Sequence, residues 1–427
     1  MDIINRLREN QFLRHNAVFF VGSIGVGALN YLYYPVLGRM LSPASFGEVQ
    51  TLVSIFLQLS IFLTVLSLVI VNIVTNAADE KQRNLLVFEF ERLALLISAS
   101  ILVLSLIFGK QLQHFLQFES VWPFPLLAIA MIVTVPFILR GALLRGKQRF
   151  GLMSAGNIIA AGAKIIFSAL LVVAGFKTIG AIGGIVLAQI VACIFVAAWA
   201  FKLGLRNESG KLFQLPNMSL LKPELKYGAF VLLGSLAITL QYSLDIVIVK
   251  HYFDSHVAGL YAGIASVARV VFFLTASISQ VLISSVRMHH TPKQNTALLV
   301  RSTIMLSALG IPALLLLAVA PGTIIRLLMG SSYGAMADLL PRLSLAIFIV
   351  SILNLLTAYY LALRRYGIAL VSSLGVVATY LLIIWHHDTP GAVVNGMLYG
   401  SLLMLVLTVA WIASSKLKEG ALWRTRS

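Results

Sequence analysis

Runs of about 18 or more apolar residues recur along the whole chain, each separated from the next by a short polar break. A run of that length, wound as a helix, crosses a hydrocarbon core of about 30 Å. Twelve such runs are read, at residues 16–38, 49–74, 85–108, 121–139, 152–174, 178–202, 226–249, 258–286, 296–320, 339–363, 367–385 and 391–414. The pattern therefore predicts an all-α polytopic membrane protein with twelve transmembrane helices. The first run is not expected to be a cleavable signal peptide. Its apolar core is too long, no Ala-x-Ala site follows it, and a second run comes immediately after.

The breaks repeat. After the first run the chain reads Gly38-Arg39-Met40-Leu41-Ser42-Pro43-Ala44-Ser45-Phe46-Gly47. We read this as a tight hairpin in which Gly38 and Pro43 end one helix, Arg39 sits at the interface, and Gly47 opens the next. After the seventh run the segment from Val249 to Tyr261 puts Lys250 at the run's end and Gly259 at the start of its successor, 212 positions after Gly47. Arg149-Phe150-Gly151 returns as Arg365-Tyr366-Gly367, and Gly180-Ala181 returns as Gly391-Ala392, at nearly the same spacing. Landmarks in order at one offset indicate two related six-helix lobes. An even number of spans per copy predicts a parallel pseudo-twofold repeat, with substrate bound where the lobes meet and alternating access by rocking. The expected organisation is an amphipathic N-terminal segment (1–15), an N-lobe (16–203), a linker (204–225), a C-lobe (226–414) and a tail (415–427).

Composition settles what the runs cannot. Of 427 residues 59% are hydrophobic and only 11% charged, too few charges to solvate a soluble surface. The net charge of +17 is distributed by side: clusters such as Arg140-Arg145-Lys147-Arg149 lie in alternate loops, while the opposite loops hold only Arg39, Lys110, Lys177, Lys250 and Arg326. That asymmetry places the basic side, and both termini, in the cytoplasm. It accounts for the charge without nucleic acid. The one cysteine, Cys193, lies inside the sixth run and forms no intramolecular disulfide.

No P-loop, His-Glu-x-x-His, Gly-x-Ser-x-Gly or Cys/His cluster is present, and neither a catalytic constellation nor a cofactor is expected. The candidate chemistry lies in charges embedded in apolar runs, each costing about 2.5–3.5 kcal/mol or more at the bilayer centre. These are Lys164 mid-run, Asp245, Arg269 and Arg342, with Arg39 at a run's outer end. Lys164 and Arg269 either face a water-filled cavity, where Arg suits bidentate phosphate binding, or belong to structural ion pairs. Asp245 is either a counter-ion for Arg269 or Arg39, or a protonatable coupling site. The balance of embedded charge favours an anionic ligand, and no embedded acid is read in the first lobe. Pro35, Pro136, Pro312 and the cluster Gly180-x-x-Gly183-Gly184 are hinges or tight-packing points.

Several motifs carry a family resemblance. "LGRMLSPASFGEVQTL", "DIVIVKHYFDSHVAGLYAGIA", "APGTIIRLLMGSSYGAM" and "LRGKQRFG" together resemble segments of the Wzx-type polysaccharide flippases of the multidrug/oligosaccharidyl-lipid/polysaccharide (MOP) exporter superfamily. The resemblance implies a MATE-like fold in a bacterial cytoplasmic membrane and translocation of an undecaprenyl-diphosphate-linked oligosaccharide. Lys164, Arg269, Arg39 and Arg342 would then contact the substrate, with Asp245 balancing or coupling. It further implies a proton or sodium gradient as energy source, membrane lipids and a polysaccharide polymerase as partners, and a monomer. A cation antiporter of the same superfamily and a membrane glycosyltransferase or ligase of the same pathway are the alternatives.

Overall fold

The computed structural model describes residues 22, 24–76, 80–202, 215–286 and 291–424; the N-terminal amphipathic segment and residues 204–214 of the linker lie outside them. Among the described residues the chain is almost entirely helical and contains no strand. It divides into two compact units, Met1–Gly228 and Ala229–Ser427.

Unit 1 contains α1 (residues 24–40), α2 (Pro43–Asn76), α3 (Glu80–Ile107), α4 (Gly109–Phe115), α5 (Pro123–Gly146), α6 (Phe150–Leu171) and α7 (Lys177–Lys202). Helix α8 (Met218–Tyr252) begins in unit 1 and ends in unit 2, which continues with α9 (Ser255–Ala268), α10 (Val270–Ser285), α11 (Pro292–Val319), α12 (Pro321–Met329), α13 (Leu340–Ala362), α14 (Gly367–Trp385) and α15 (Pro390–Arg424). In unit 1, α5 is central and packs on α2, α3 and α7, with α6 against α7; in unit 2, α13 packs on α10, α11 and α15, with α14 against α15. The same packing scheme is thus built twice.

Its register is the one the breaks announced. Helix α1 ends at residue 40 and α8 at Tyr252; α2, α3 and α4 start at Pro43, Glu80 and Gly109, while α9, α11 and α12 start at Ser255, Pro292 and Pro321, each 212 positions later. Caps recur with the helices. Ser42 accepts the N–H of Ser45 at 3.3 Å, and Asp254 accepts those of His256 and Val257 at 2.9 and 3.1 Å. Both satisfy backbone donors that a helix start leaves unpaired. The Schellman turns closing α5 and α13 also match. Gln148 (φ +59°) and Arg364 (φ +56°) are left-handed. Arg149 N–H reaches Leu144 O at 2.8 Å and Arg365 N–H reaches Tyr360 O at 2.9 Å.

Several expectations require correction. Pro43 does not end α1; it occupies the first turn of α2, where its missing N–H costs nothing. Helix α8 continues past Val249, so Lys250 is a helical residue and not a loop cation. The eighth run is two helices, bent by 43° at Arg269. The short helices α4 and α12 and the 3-10 segment Ser331–Leu339 were not anticipated. The tail from residue 415 continues α15 to Arg424. Nine helical stretches among the described residues are long and apolar enough to cross a membrane, ten with the bent pair taken as one. One of the nine, Phe150–Lys202, is 53 residues long. It folds back on itself at Gly175 (φ +92°) and Lys177 (φ +40°), so α6 and α7 run side by side. The glycines of α7 are packing points: a Cβ on Gly184 would fall 2.3 Å from the Ser168 backbone nitrogen, and one on Gly180 would fall 2.9 Å from Leu171 C.

Candidate functional site

Helix α6 exposes Ile158, Ile166 and Leu170. At 100° per residue Lys164 lies on the opposite side, toward α1. There its Nζ donates to Asn30 Oδ1 at 2.7 Å and stands 4.4 Å from the centre of the Tyr33 ring. Asn30 and Tyr33 are three apart, so α1 presents both on one face. Tyr33 is buried and Lys164 half-buried. Among the described residues no carboxylate lies within ion-pair distance of Lys164. Its ammonium is therefore held by an amide oxygen and an aromatic face, which stabilise a cation without cancelling its charge.

The second unit arranges its charges differently. Arg269 and Asp245 are both buried. Arg269 Nη2 meets Asp245 Oδ1 at 2.5 Å, while its Nε donates to the Tyr242 carbonyl at 3.1 Å. Tyr261 donates to Asp245 Oδ2 at 2.9 Å, and the guanidinium also lies 5.1 Å from the Tyr242 ring centre. Asp245 is thus the counter-ion of Arg269. Of the two readings of Arg269, the geometry is that of the ion pair and not of a phosphate grip: its Nη2 and Nε are engaged by Asp245 and the Tyr242 carbonyl, and the residue sits at the α9–α10 bend, reaching back to α8.

The two clusters share one helix of the repeat and differ in the helix that meets it. Shifting Asn30 and Tyr33 by 212 positions gives Tyr242 and Asp245, and shifting Lys164 by the 216 of the α5–α13 turns gives Tyr380. Arg269 falls opposite Leu57, inside the unbroken α2. Each unit therefore concentrates polar side chains on its first long helix, α1 or α8, but against different neighbours: an ammonium of α6 held by neutral groups in one, and an ion pair with the α9–α10 bend in the other.

The remaining candidates do not join either cluster. Arg39 is exposed in the last turn of α1. Arg342 is exposed in the first turn of α13 and donates to Asn395 on α15 at 2.9 Å. Lys250 is fully buried and donates to Ser255 Oγ at 2.7 Å across the α8–α9 turn.

Sequence reading missed a further set. Glu48, Glu89 and Glu91 are buried in unit 1, against the expectation of no embedded acid there. Glu48 accepts the Glu119 N–H and the Thr178 hydroxyl, both at 2.7 Å, tying together α2, the α4–α5 loop and α7. Glu89 pairs with Arg92 at 2.8 Å and accepts the Asn217 N–H at 2.7 Å. The three-residue spacing of Glu89 and Arg92 was the available signal. Among the described residues no three His, Cys, Asp or Glu side chains form a metal site.

Residues 12–283 match the family described as "Polysaccharide biosynthesis protein". No curated protein matches the sequence. Among solved structures, an inward-facing multidrug resistance MATE family transporter of the MOP superfamily superposes with a TM-score of 0.74 at 13% identity, covering 94% of this chain and 96% of that one. The lipid II flippase MurJ in an inward closed conformation gives 0.73 at 13% identity, with 93% and 87% covered. An outward-facing MATE transporter of the same superfamily gives 0.68 at 14% identity, with 96% of each chain covered. The fold is that of MATE and MurJ.

Proposed function

The chain belongs to the polysaccharide biosynthesis protein family, and from that premise we propose that it is a flippase for a polyprenyl-diphosphate-linked oligosaccharide. It carries the undecaprenyl-diphosphate headgroup and its sugars from the cytoplasmic to the outer leaflet of a bacterial cytoplasmic membrane by alternating access. Both termini face the cytoplasm. A proton or sodium gradient drives the cycle, and the protein works as a monomer that supplies a polysaccharide polymerase.

The observation that carries the reading is the Lys164 ammonium, held mid-helix by neutral groups and turned away from the lipid-facing side of α6. A charge in that position has a cost that function must offset, and a diphosphate is a ligand of the right sign. MurJ, which shares the fold, is a lipid II flippase. A cation antiporter would need an acid open to its cargo, whereas both oxygens of Asp245 are engaged, by Arg269 and Tyr261. Replacing Lys164 with Ala should abolish surface polymer in cells while leaving the amount of protein in the membrane unchanged. Normal polymer on the Lys164→Ala background would overturn the assignment.

A further inference from the structure

Lys164 meets an amide, where a carboxylate of nearly the same shape would have made a stronger bond. We propose that Asn30 is a specificity-determining residue: its neutral oxygen fixes the ammonium in place while leaving the positive charge available to an anionic headgroup. The inference rests on the flippase reading and extends it to a second helix.

Three observations support it. The Asn30 Oδ1 to Lys164 Nζ distance of 2.7 Å is that of a full hydrogen bond to a charged donor, so α1 positions the group and does not merely pass it. The other contact, the Tyr33 ring at 4.4 Å, is also neutral. Among the described residues no acid lies within ion-pair distance, so no neighbouring carboxylate there offsets the ammonium. The second unit supplies a contrasting case. There a carboxylate, Asp245, stands on the equivalent face of α8, and the cation nearest it is closed into an ion pair. Asn30 and Asp245 differ by one turn in the repeat: the amide leaves its cation's charge unbalanced, and the carboxylate neutralises its own.

A purely structural role and a charge-selective role make opposite predictions for Asn30→Asp. If Asn30 only ties α1 to α6, the carboxylate strengthens the tie and is tolerated. If it sets specificity, the carboxylate neutralises the ammonium and repels phosphate. The test uses the full-length protein in lipid nanodiscs, titrated with farnesyl diphosphate and, as an uncharged control, farnesol. Asn30→Asp should weaken diphosphate binding by about tenfold or more and leave farnesol binding and the apparent Tm unchanged or the latter raised. Asn30→Ala, which loses the contact but not the charge, should weaken diphosphate binding by only about two- to threefold. Lys164→Ala should remove the preference for diphosphate over alcohol. If Lys164→Ala retains that preference, the flippase reading loses its anion contact. If Lys164→Ala removes it but Asn30→Asp binds diphosphate within about twofold of the parent, or Asn30→Ala is as damaging as Asn30→Asp, that reading stands and the role assigned to Asn30 is wrong.

Discussion

Asp245 and Arg269 are both withdrawn from solvent, so each depends on the other for its charge to be tolerable. Removing one partner leaves a buried ion with nothing to balance it, at a cost of about 3–5 kcal/mol, whereas replacing both with apolar residues of similar volume is often close to neutral. Asp245→Ala should therefore lower the apparent Tm of the detergent-solubilised protein strongly, and Asp245→Leu combined with Arg269→Met should recover most of the loss. A single variant as stable as the parent would show that the pair does not constrain the fold. Sequence alone could locate these charges in apolar runs, but not assign them. Lys164 and Arg269 looked alike as mid-run cations. What separates them is which residues of α1 and α8 come within 3 Å, and that depends on helix rotation that no hydropathy pattern encodes.

Helices were more legible than side-chain partners, because membrane insertion fixes their length and composition. Their ends were less so. Ser42-Pro43 looks like a terminator from the N-terminal side and acts as a start, since the serine caps and the proline fills the first turn. The α9–α10 break at Arg269 left no mark in an apolar run that lacks proline there. Close contact between α6 and α7 makes a sharp prediction. Gly184→Val should prevent stable folding, because even its Cβ would overlap the Ser168 backbone. Gly183→Ala should be tolerated, since the nearest atom there is the flexible end of Leu171 at 3.4 Å. Membrane yield after mild solubilisation reports both. At the two Schellman turns a non-glycine residue in the left-handed region carries about 1 kcal/mol of strain. Gln148→Gly and Arg364→Gly should each raise the apparent Tm slightly, and a decrease in either would show that the side chain contributes more than the backbone loses.

For the whole molecule, two units built to one register make the orientation of any loop a statement about its counterpart. The charge asymmetry predicts that the turn at Lys147 and the turn at Arg364 face the cytoplasm and the segment around Arg326 the outside. In a Cys193→Ala background, Arg326→Cys should react with a membrane-impermeant maleimide in intact cells, and Lys147→Cys only after permeabilisation. Labelling of Lys147→Cys in intact cells would invert the topology. The duplication itself was readable because helix starts recur at a fixed interval. The chemical difference between the copies was not, because it resides in a handful of substituted positions on otherwise equivalent helices.

The unbroken 34 residues of α2, set against the bend that interrupts its counterpart at Arg269, show how a doubled gene product can divide labour. One copy keeps α2 as a plain scaffold and holds its ammonium with neutral groups of α1; the other rivets α8 to the α9–α10 bend with an ion pair. Two identical halves would carry the same contacts in both, so a few substituted side chains are enough to give this chain an ammonium held by neutral groups in one half and a fastener in the other.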